Sequence, residues 1–200
     1  MDLFTAIESR RAVKHYDAEA TISDADFQQL MDAALLSPTS YNIQHWRFVR
    51  VTDKAQREQV QAAAWGQEQV TAASELLILC ADTQAWQDRP ERYWADAPQA
   101  AQDMLVPMLT DFYSGREQVQ RDEAMRSCGM AAQTLMLAAK GLGYDSCPMI
   151  GFNADEVAEL IKLPENHVIG MMITLGKAAK PASGRGGQLA LDEVLVENNF

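Results

Sequence analysis

Gly129-Met-Ala-Ala-Gln-Thr-Leu-Met-Leu-Ala-Ala139 is apolar on nearly every side of a helix. A surface helix carries one apolar stripe, so a stretch apolar almost all round belongs inside the fold. It sits within the longest helical pattern of the chain, residues 117–142, which ends at Gly141-Leu-Gly143. The expectation is a central, buried helix with the other elements packed around it. Working outward, the run Glu75–Ala81 is continuously apolar ahead of Asp82, which marks a strand buried on both faces. Val168–Leu175 reads as a second such strand, and Phe48-Val-Arg-Val51 as a shorter one.

The helices follow from periodicity and caps. Residues 2–10 predict a short amphipathic helix with Leu3, Phe4 and Ile7 on one face. Ser23 reads as an N-cap, with Asp24 and Asp26 in the first turn and Phe27, Leu30, Met31, Ala34 and Leu35 at helical spacing up to Ser37-Pro38. Thr52 or Asp53 caps a helix through Val60 to about Ala64. Residues 84–99 hold Trp86, Tyr93, Trp94 and two prolines, and read as an irregular excursion into a helix near 98–114 that Pro107 would kink. Asn153 caps a short helix to Ile161, and residues 189–200 have no obvious packing partner. Residues 1–200 then form a single α+β domain, helices around a small sheet of about four strands. An all-round apolar helix and a trailing arm suggest a subunit that completes its core with a partner.

The chain is acidic, with 17 Lys+Arg against 28 Asp+Glu and a formal net charge of -11. Such a surface repels phosphate backbones and anionic lipid, which argues against nucleic-acid and membrane partners. Cys80, Cys128 and Cys147 form no CxxC pair, and His15, His45 and His167 lie far apart, so no disulfide framework or metal site is expected. The N-terminus carries acids and lacks an apolar signal core, and no window reaches the roughly 18 apolar residues of a membrane span. A cytoplasmic, reduced protein is the expectation.

Against that acidity, local basic clusters stand out. Arg10, Arg11 and Lys14 form a knot able to grip phosphate oxygens; equally, they could be a solvated helix end complementing the dipole. Ser37-Pro-Thr-Ser-Tyr-Asn-Ile-Gln-His-Trp46 packs hydroxyls and carboxamides into a turn. Those groups ordinarily bond their own backbone, but Asn42 and Gln44 both donate and accept, which suits the edge of a flat heterocycle. Cys147-Pro-Met-Ile-Gly-Phe152 reads as a loop where Gly151 lets a backbone N–H approach a ring, though such a loop alone mostly means a turn. Gly176–Gly187 is a second basic island, with Lys177, Lys180 and Arg185 among Gly and Pro; it could wrap a phosphate or be a flexible loop. No GxGxxG after a strand, P-loop, GxSxG or HExxH is present, so a cofactor would have to carry any chemistry.

In combination these four pieces resemble the FMN-dependent nitroreductase family, over nearly the whole chain. The resemblance runs through Ser9-Arg-Arg-Ala-Val-Lys-His-Tyr-Asp17, Ser37–Trp46, Trp65-Gly-Gln-Glu-Gln-Val70, Pro148–Phe152 and Gly176–Arg185. It implies a small, mostly antiparallel sheet surrounded by helices, and a homodimer with two interfacial FMN sites and a C-terminal arm exchanged between subunits. It places Arg10 and Arg185 on the phosphate and Lys14 at the N1/O2 end of the ring. Pro38, Thr39, Ser40 and Asn42 would come from the partner subunit, with Gln44 beside them, and Gln69 would reach the pyrimidine edge. Pro148, Met149 and Gly151 would cover one face and meet N5, with Ile150 where some members carry an acid. Ala12 replaces a frequent Ser, for which Arg11 could compensate. His45 replaces a frequent Pro, and Ser183 a second phosphate-binding Lys.

The implied activity is ping-pong. NADH or NADPH reduces the flavin at N5, and a nitroaromatic or quinone then takes the same seat. Tyr41, Trp94, Phe112 and Tyr113 are candidates for the substrate wall, on aromatic content and position. Open alternatives are dehalogenation or dehydrogenation on the same fold, a flavin-binding sensor or store without turnover, and a helical interaction protein without cofactor.

Overall fold

In the computed structural model, which describes residues 1–200, strand β2 (Glu75–Asp82) is buried at all eight positions. Its side chains alternate between two cores, as the pleat requires. Leu77, Leu79 and Ala81 point to one side, among buried residues of helices α2 (Asp24–Leu35) and α6 (Glu117–Gly141). Leu76, Ile78 and Cys80 point to the other, with Val60 and Ala63 of α3 (Lys54–Ala63) and Val157 of α7 (Ala154–Leu160). Each fully buried Leu or Ile contributes about 2 kcal/mol relative to exposure. The strand's continuous apolar run is thus explained by helices on both faces.

The sheet has four antiparallel strands in the order β1-β2-β4-β3, where β1 is Trp46–Arg50, β3 is Asp145–Met149 and β4 is His167–Gly176. The α+β class, the small antiparallel sheet and the helical surround all stand as expected. Ser23, Asp53 and Asn153 cap α2, α3 and α7 through side chains that accept from Asp26 N, Gln56 N, and Asp155 N with Glu156 N. Helix α1 is Leu3–Ser9 and α5 is Gln99–Tyr113, which runs through Pro107. Arg50 donates twice to Glu75, at 2.8 and 2.6 Å, and lies 3.8 Å over the Phe27 ring, pinning β1, β2 and α2 together.

Several elements differ from the sequence reading. The Cys147-Pro-Met segment, read as a loop, is the second half of β3. Pro148 cannot donate to a ladder, but β3 is an edge strand whose one ladder is with β4, where a missing N–H is tolerated. Residues 84–99 contain two short 3-10 turns, Ala85–Gln87 and Pro90–Trp94. A one-turn helix α4 (Gln69–Ala72) and another, α8 (Leu191–Val194), are too short for periodicity to reveal. Helix α6 is buried along one side, through Ala124, Cys128, Ala131, Ala132, Leu135 and Ala139, while Met130 and Leu137 stay partly exposed and Gln133 exposed. Leu3, Phe4 and Ile7 of α1 and residues 189–200 are also exposed in the single chain.

Two contacts dock α6 onto the sheet. At the irregularity between Leu79 and Cys80, β2 pairs with Met171 and Ile169 and skips Gly170. A Cβ at Gly170 would lie 2.9 Å from Cys128 Cβ and 3.3 Å from Leu79 O. At the head of β1, the fully buried His45 has its Nδ1 3.1 Å from Ser127 Oγ, and its Nε2 has no partner. Burial, and then the Arg47 charge, push the His45 pKa down to about 4.

Gly170→Ala should therefore lower unfolding free energy by about 2 kcal/mol through overpacking, read from the urea midpoint. His45 should make the fold acid-sensitive. Its folded pKa lies below the ordinary value, so the unfolded chain takes the proton first. The stability is whole above pH ~6.5 and falls as pH drops toward 4, by about 3 kcal/mol. His45→Gln should remove that part of the acid slope in urea titrations between pH 7 and pH 4.

Candidate functional site

Helix α1 ends where Arg10 turns extended, and the chain then runs beside the sheet edge. Val13 N donates to Ser146 O at 3.0 Å, and Ala12 bridges Ser146. Val13 and Tyr16 bury inward with Ala73, and the Tyr16 hydroxyl reaches Thr174 O at 3.1 Å. Anchoring Val13 and Tyr16 inward leaves Arg10, Arg11, Lys14 and His15 lining the outer side. The loop after β4 returns alongside, bridged by Tyr16 and Ala178, and brings Lys180 and Arg185 opposite them. The result is a cleft of about 510 Å³ with Pro148 in its lining and no carboxylate. Arg185 closes one end by donating to Ile7 O at 3.0 Å.

Cations crowd one another here. Arg10 has its pKa lowered by burial, then by the charges of Arg185 and Arg11. The Cys147 thiol behind the lining is pushed up by burial, against the opposing pull of Lys14 and Arg10. A bound anion would relieve this repulsion. The basic residues divide their work. Arg11 lines the cleft but donates to Glu8 O and Arg10 O, which ties its guanidinium to the end of α1. Lys177 donates to Gly143 O and lies 4.1 Å from the Tyr144 ring centroid, which commits it outside the cleft. Lys180, not Lys177, joins Arg185.

Beyond Pro148 the chain runs on, outside the cleft lining, to Met149, Ile150 and Gly151. Met149 is buried, Ile150 is 79% exposed, and Phe152 N bonds Ile150 O in a tight turn. Gln67 Nε2 donates to Gly151 O at 2.7 Å, and buried Gln69 donates to Gln67 Oε1 at 2.9 Å. One of Gln69's donors is thus spent on holding Gln67. Across the rim, His15 Nδ1 is 3.9 Å from Glu68 Oε2. Sequence reasoning passed over Gln67 and Trp65; the signal available was only their place in the Trp65–Val70 motif.

The Ser37–Trp46 segment lines none of this cleft. Tyr41, Asn42 and Gln44 hold left-handed φ of 50, 55 and 53°, a conformation non-glycine residues rarely adopt. The strain is held locally. Thr39 Oγ1 accepts from Gln44 N at 3.0 Å, Asn42 Nδ2 donates to Tyr93 O at 2.7 Å, and Ser37 Oγ donates to Thr134 Oγ1 at 2.9 Å. Ser40 N faces Glu123 at 3.4 Å, and Pro38 is exposed. The four aromatics do gather: Tyr41–Phe112 and Phe112–Tyr113 centroids lie 6.0 and 5.0 Å apart, with Trp94 packed against the same cluster. Tyr113 has no exposed surface in the single chain and packs behind Tyr41 and Phe112. No group of three or more His, Cys, Asp or Glu is placed to hold a metal ion, and no helix is long and apolar enough to cross a membrane.

Comparison with known proteins is consistent across the chain. The model of the family described as nitroreductase matches residues 7–177. Protein DrgA of Synechocystis sp. is 48% identical over 185 residues, covering 92% of this chain and 88% of that protein. MhqN of Bacillus subtilis, named as a presumptive NAD(P)H nitroreductase, is 33% identical over 177 residues, 86% of each chain. A crystal structure from Exiguobacterium sibiricum, titled as a presumptive nitroreductase in complex with FMN, superposes with a TM-score of 0.90 at 26% identity, covering 98% of this chain and 97% of that one.

The cleft's charge makes a direct prediction. Calorimetric titration of ligand-free protein with inorganic phosphate should give binding that weakens with salt. Arg10→Gln and Arg185→Gln should each raise Kd about tenfold, a loss of ~1.4 kcal/mol. Lys177→Gln should leave it within about twofold.

Proposed function

This chain belongs to the nitroreductase family, and we propose that it is an FMN-dependent NAD(P)H oxidoreductase that reduces nitroaromatic or quinone-type acceptors. The observation that carries the reading is a carboxylate-free basic cleft whose lining residue Pro148 is followed in the chain by an exposed turn at Ile150–Gly151. That shape and charge fit a molecule with a phosphate at one end and a flat ring at the other. The FMN named for a fold neighbour, and the NAD(P)H named for a relative, support the same cofactor and donor.

Arg10, Lys180 and Arg185 would hold the phosphate, and Lys14 would sit toward the pyrimidine end. Pro148, Met149, Ile150 and Gly151 would back the ring, and Gln69 would lie at its edge. FMN, when bound, supplies hydride transfer, taking two electrons from NADH or NADPH and passing them to the acceptor. The protein's part is to bind, orient and exclude water. Lys14 would offer positive charge to the ring's electron-rich end, and Gly151 would offer backbone without a Cβ. No side chain is required as a general base.

The active form in this reading is a cytoplasmic homodimer of single-domain chains, with the arm 189–200 exchanged. The partly exposed side of α6, the bare apolar face of α1 and the exposed Leu189, Leu191, Val194 and Leu195 support it, since such surface is unfavourable in water. Pro38, Thr39, Ser40, Asn42 and Gln44, remote from the cleft in one chain, would complete the partner's site. The three free, buried thiols suit a reducing compartment.

The purified protein should be yellow, sediment at twice the chain mass, and lose its flavin absorbance when NADH or NADPH is added without oxygen. A quinone should then restore the colour. Arg185→Gln should yield protein with substoichiometric flavin. Colourless protein that no added FMN reconstitutes would sink the assignment, and yellow protein that neither nicotinamide bleaches would reduce it to a binding protein.

A further inference from the structure

Three of the four residues ahead of His45 hold a left-handed backbone: Tyr41, Asn42 and Gln44. None is glycine, so the surroundings must impose the shape. Inside the turn, Asn42 N donates to Thr39 O and Ile43 N to Ser40 O, both at 3.1 Å, and Gln44 N to Thr39 Oγ1 at 3.0 Å. The turn is anchored in the protein by two side chains without exposed surface, Ile43 and His45. Ile43 packs among Tyr93, Leu109 and Tyr113. His45 is the ionisable anchor, and its seat suits only the neutral ring. Nδ1 lies 3.1 Å from Ser127 Oγ of α6, and Nε2 is buried without a partner.

The charged and titratable groups around that seat offer it no counterion. Arg47, two residues on, is a cation, and the Tyr113 ring of α5 lies 6.5 Å away. On α6, Glu123 pairs with Arg126 at 3.0 Å and faces Ser40 N at 3.4 Å. On β2, Asp82 N donates to His45 O at 2.9 Å, while its carboxylate accepts from Asn166 Nδ2 at 2.8 Å and lies 3.7 Å from Arg47. Both acids are thus engaged elsewhere, and a charged imidazole left in place would be buried unpaired.

We propose that His45 is the positioning residue of the Thr39–Gln44 turn, and that its protonation releases the turn and weakens cofactor binding without unfolding the domain. The link to the cofactor rests on the functional reading above, in which Thr39, Ser40, Asn42 and Gln44 complete the partner's site. The direction follows from burial. In the closed turn the His45 pKa is pushed down to about 4, and in an opened turn the ring returns to its ordinary ~6.5. The open form takes the proton first, so opening is favoured as pH falls from ~6.5 toward 4. Between pH 7.5 and pH 5 the open-to-closed ratio should rise about thirtyfold.

Amide hydrogen exchange of the ligand-free protein reads that ratio. After correction for intrinsic exchange, Asn42, Ile43 and Gln44 should lose about thirtyfold in protection between pH 7.5 and pH 5. Ala64, fully buried and bonded to Val60 O, should keep its own. In His45→Gln the turn amides should hold within about threefold over the same range. Fluorimetric titration of the apoprotein with FMN gives the second readout. The rise in Kd between pH 7.5 and pH 5 should be about threefold or more larger in wild type than in His45→Gln, the phosphate's own protonation being common to both. The proposal falls if the turn amides keep their protection in acid, or if Ala64 loses protection in step with them, which would make His45 a residue of the global fold alone. These wild-type data decide even where the variant does not fold. Equal pH dependence of FMN affinity in the two proteins would overturn the link to the cofactor. Turn amides that respond as expected in a protein that binds FMN at neither pH would instead overturn the functional reading and leave the latch standing.

Discussion

The structure depends on one constraint: β2 has no face left for water. Because its side chains alternate, Leu77, Leu79 and Ala81 require one helical layer and Leu76, Ile78 and Cys80 require another. Both layers must close for either to be stable. The rest follows from how closely they close. Gly170 lets α6 approach β4 to a distance no side chain would allow, and His45 is sealed beneath the same helix with one nitrogen unpaired. The sheet's outer edge, β3, is left to a segment that includes a proline, and that edge is where the basic cleft is built.

Electrostatics then does what packing cannot. The chain carries a net charge of -11, yet Arg10, Lys14, Lys180 and Arg185 share one carboxylate-free cleft. Holding like charges together is unfavourable unless something negative arrives. Burial first, and then the charges of Arg185 and Arg11, lower the Arg10 pKa. The surrounding acidity repels anions in general, so the cleft favours a ligand that brings shape as well as charge.

Much of this was legible in the residues. The continuous apolar run at 75–81 and the caps at Ser23, Asp53 and Asn153 each state their role through local chemistry, and the basic segments 10–14 and 176–187 stand out against the acidity of the rest. What stayed hidden depends on tertiary context. Pro148 argues against a strand until the strand is known to be an edge. Tyr113 looks like any aromatic in a wall until its burial in the single chain, behind Tyr41 and Phe112, is seen. Lys177 and Lys180 are equivalent in composition, and only the Tyr144 ring and the Gly143 carbonyl tell them apart. The half-exposed flank of α6 is the reverse case: the sequence pattern anticipates cover that one chain alone does not provide.

The cleft joins the two ends of the chain. Residues 10–15 supply one wall and residues 180–185 the other, with Arg185 clasped to the Ile7 carbonyl across 178 positions of sequence. An anion seated there binds only molecules in which both segments are in place, so its binding free energy adds to the cost of peeling either segment from the sheet edge. The cleft is thus a clasp as well as a seat: whatever fills it ties residues 10–15 to residues 180–185.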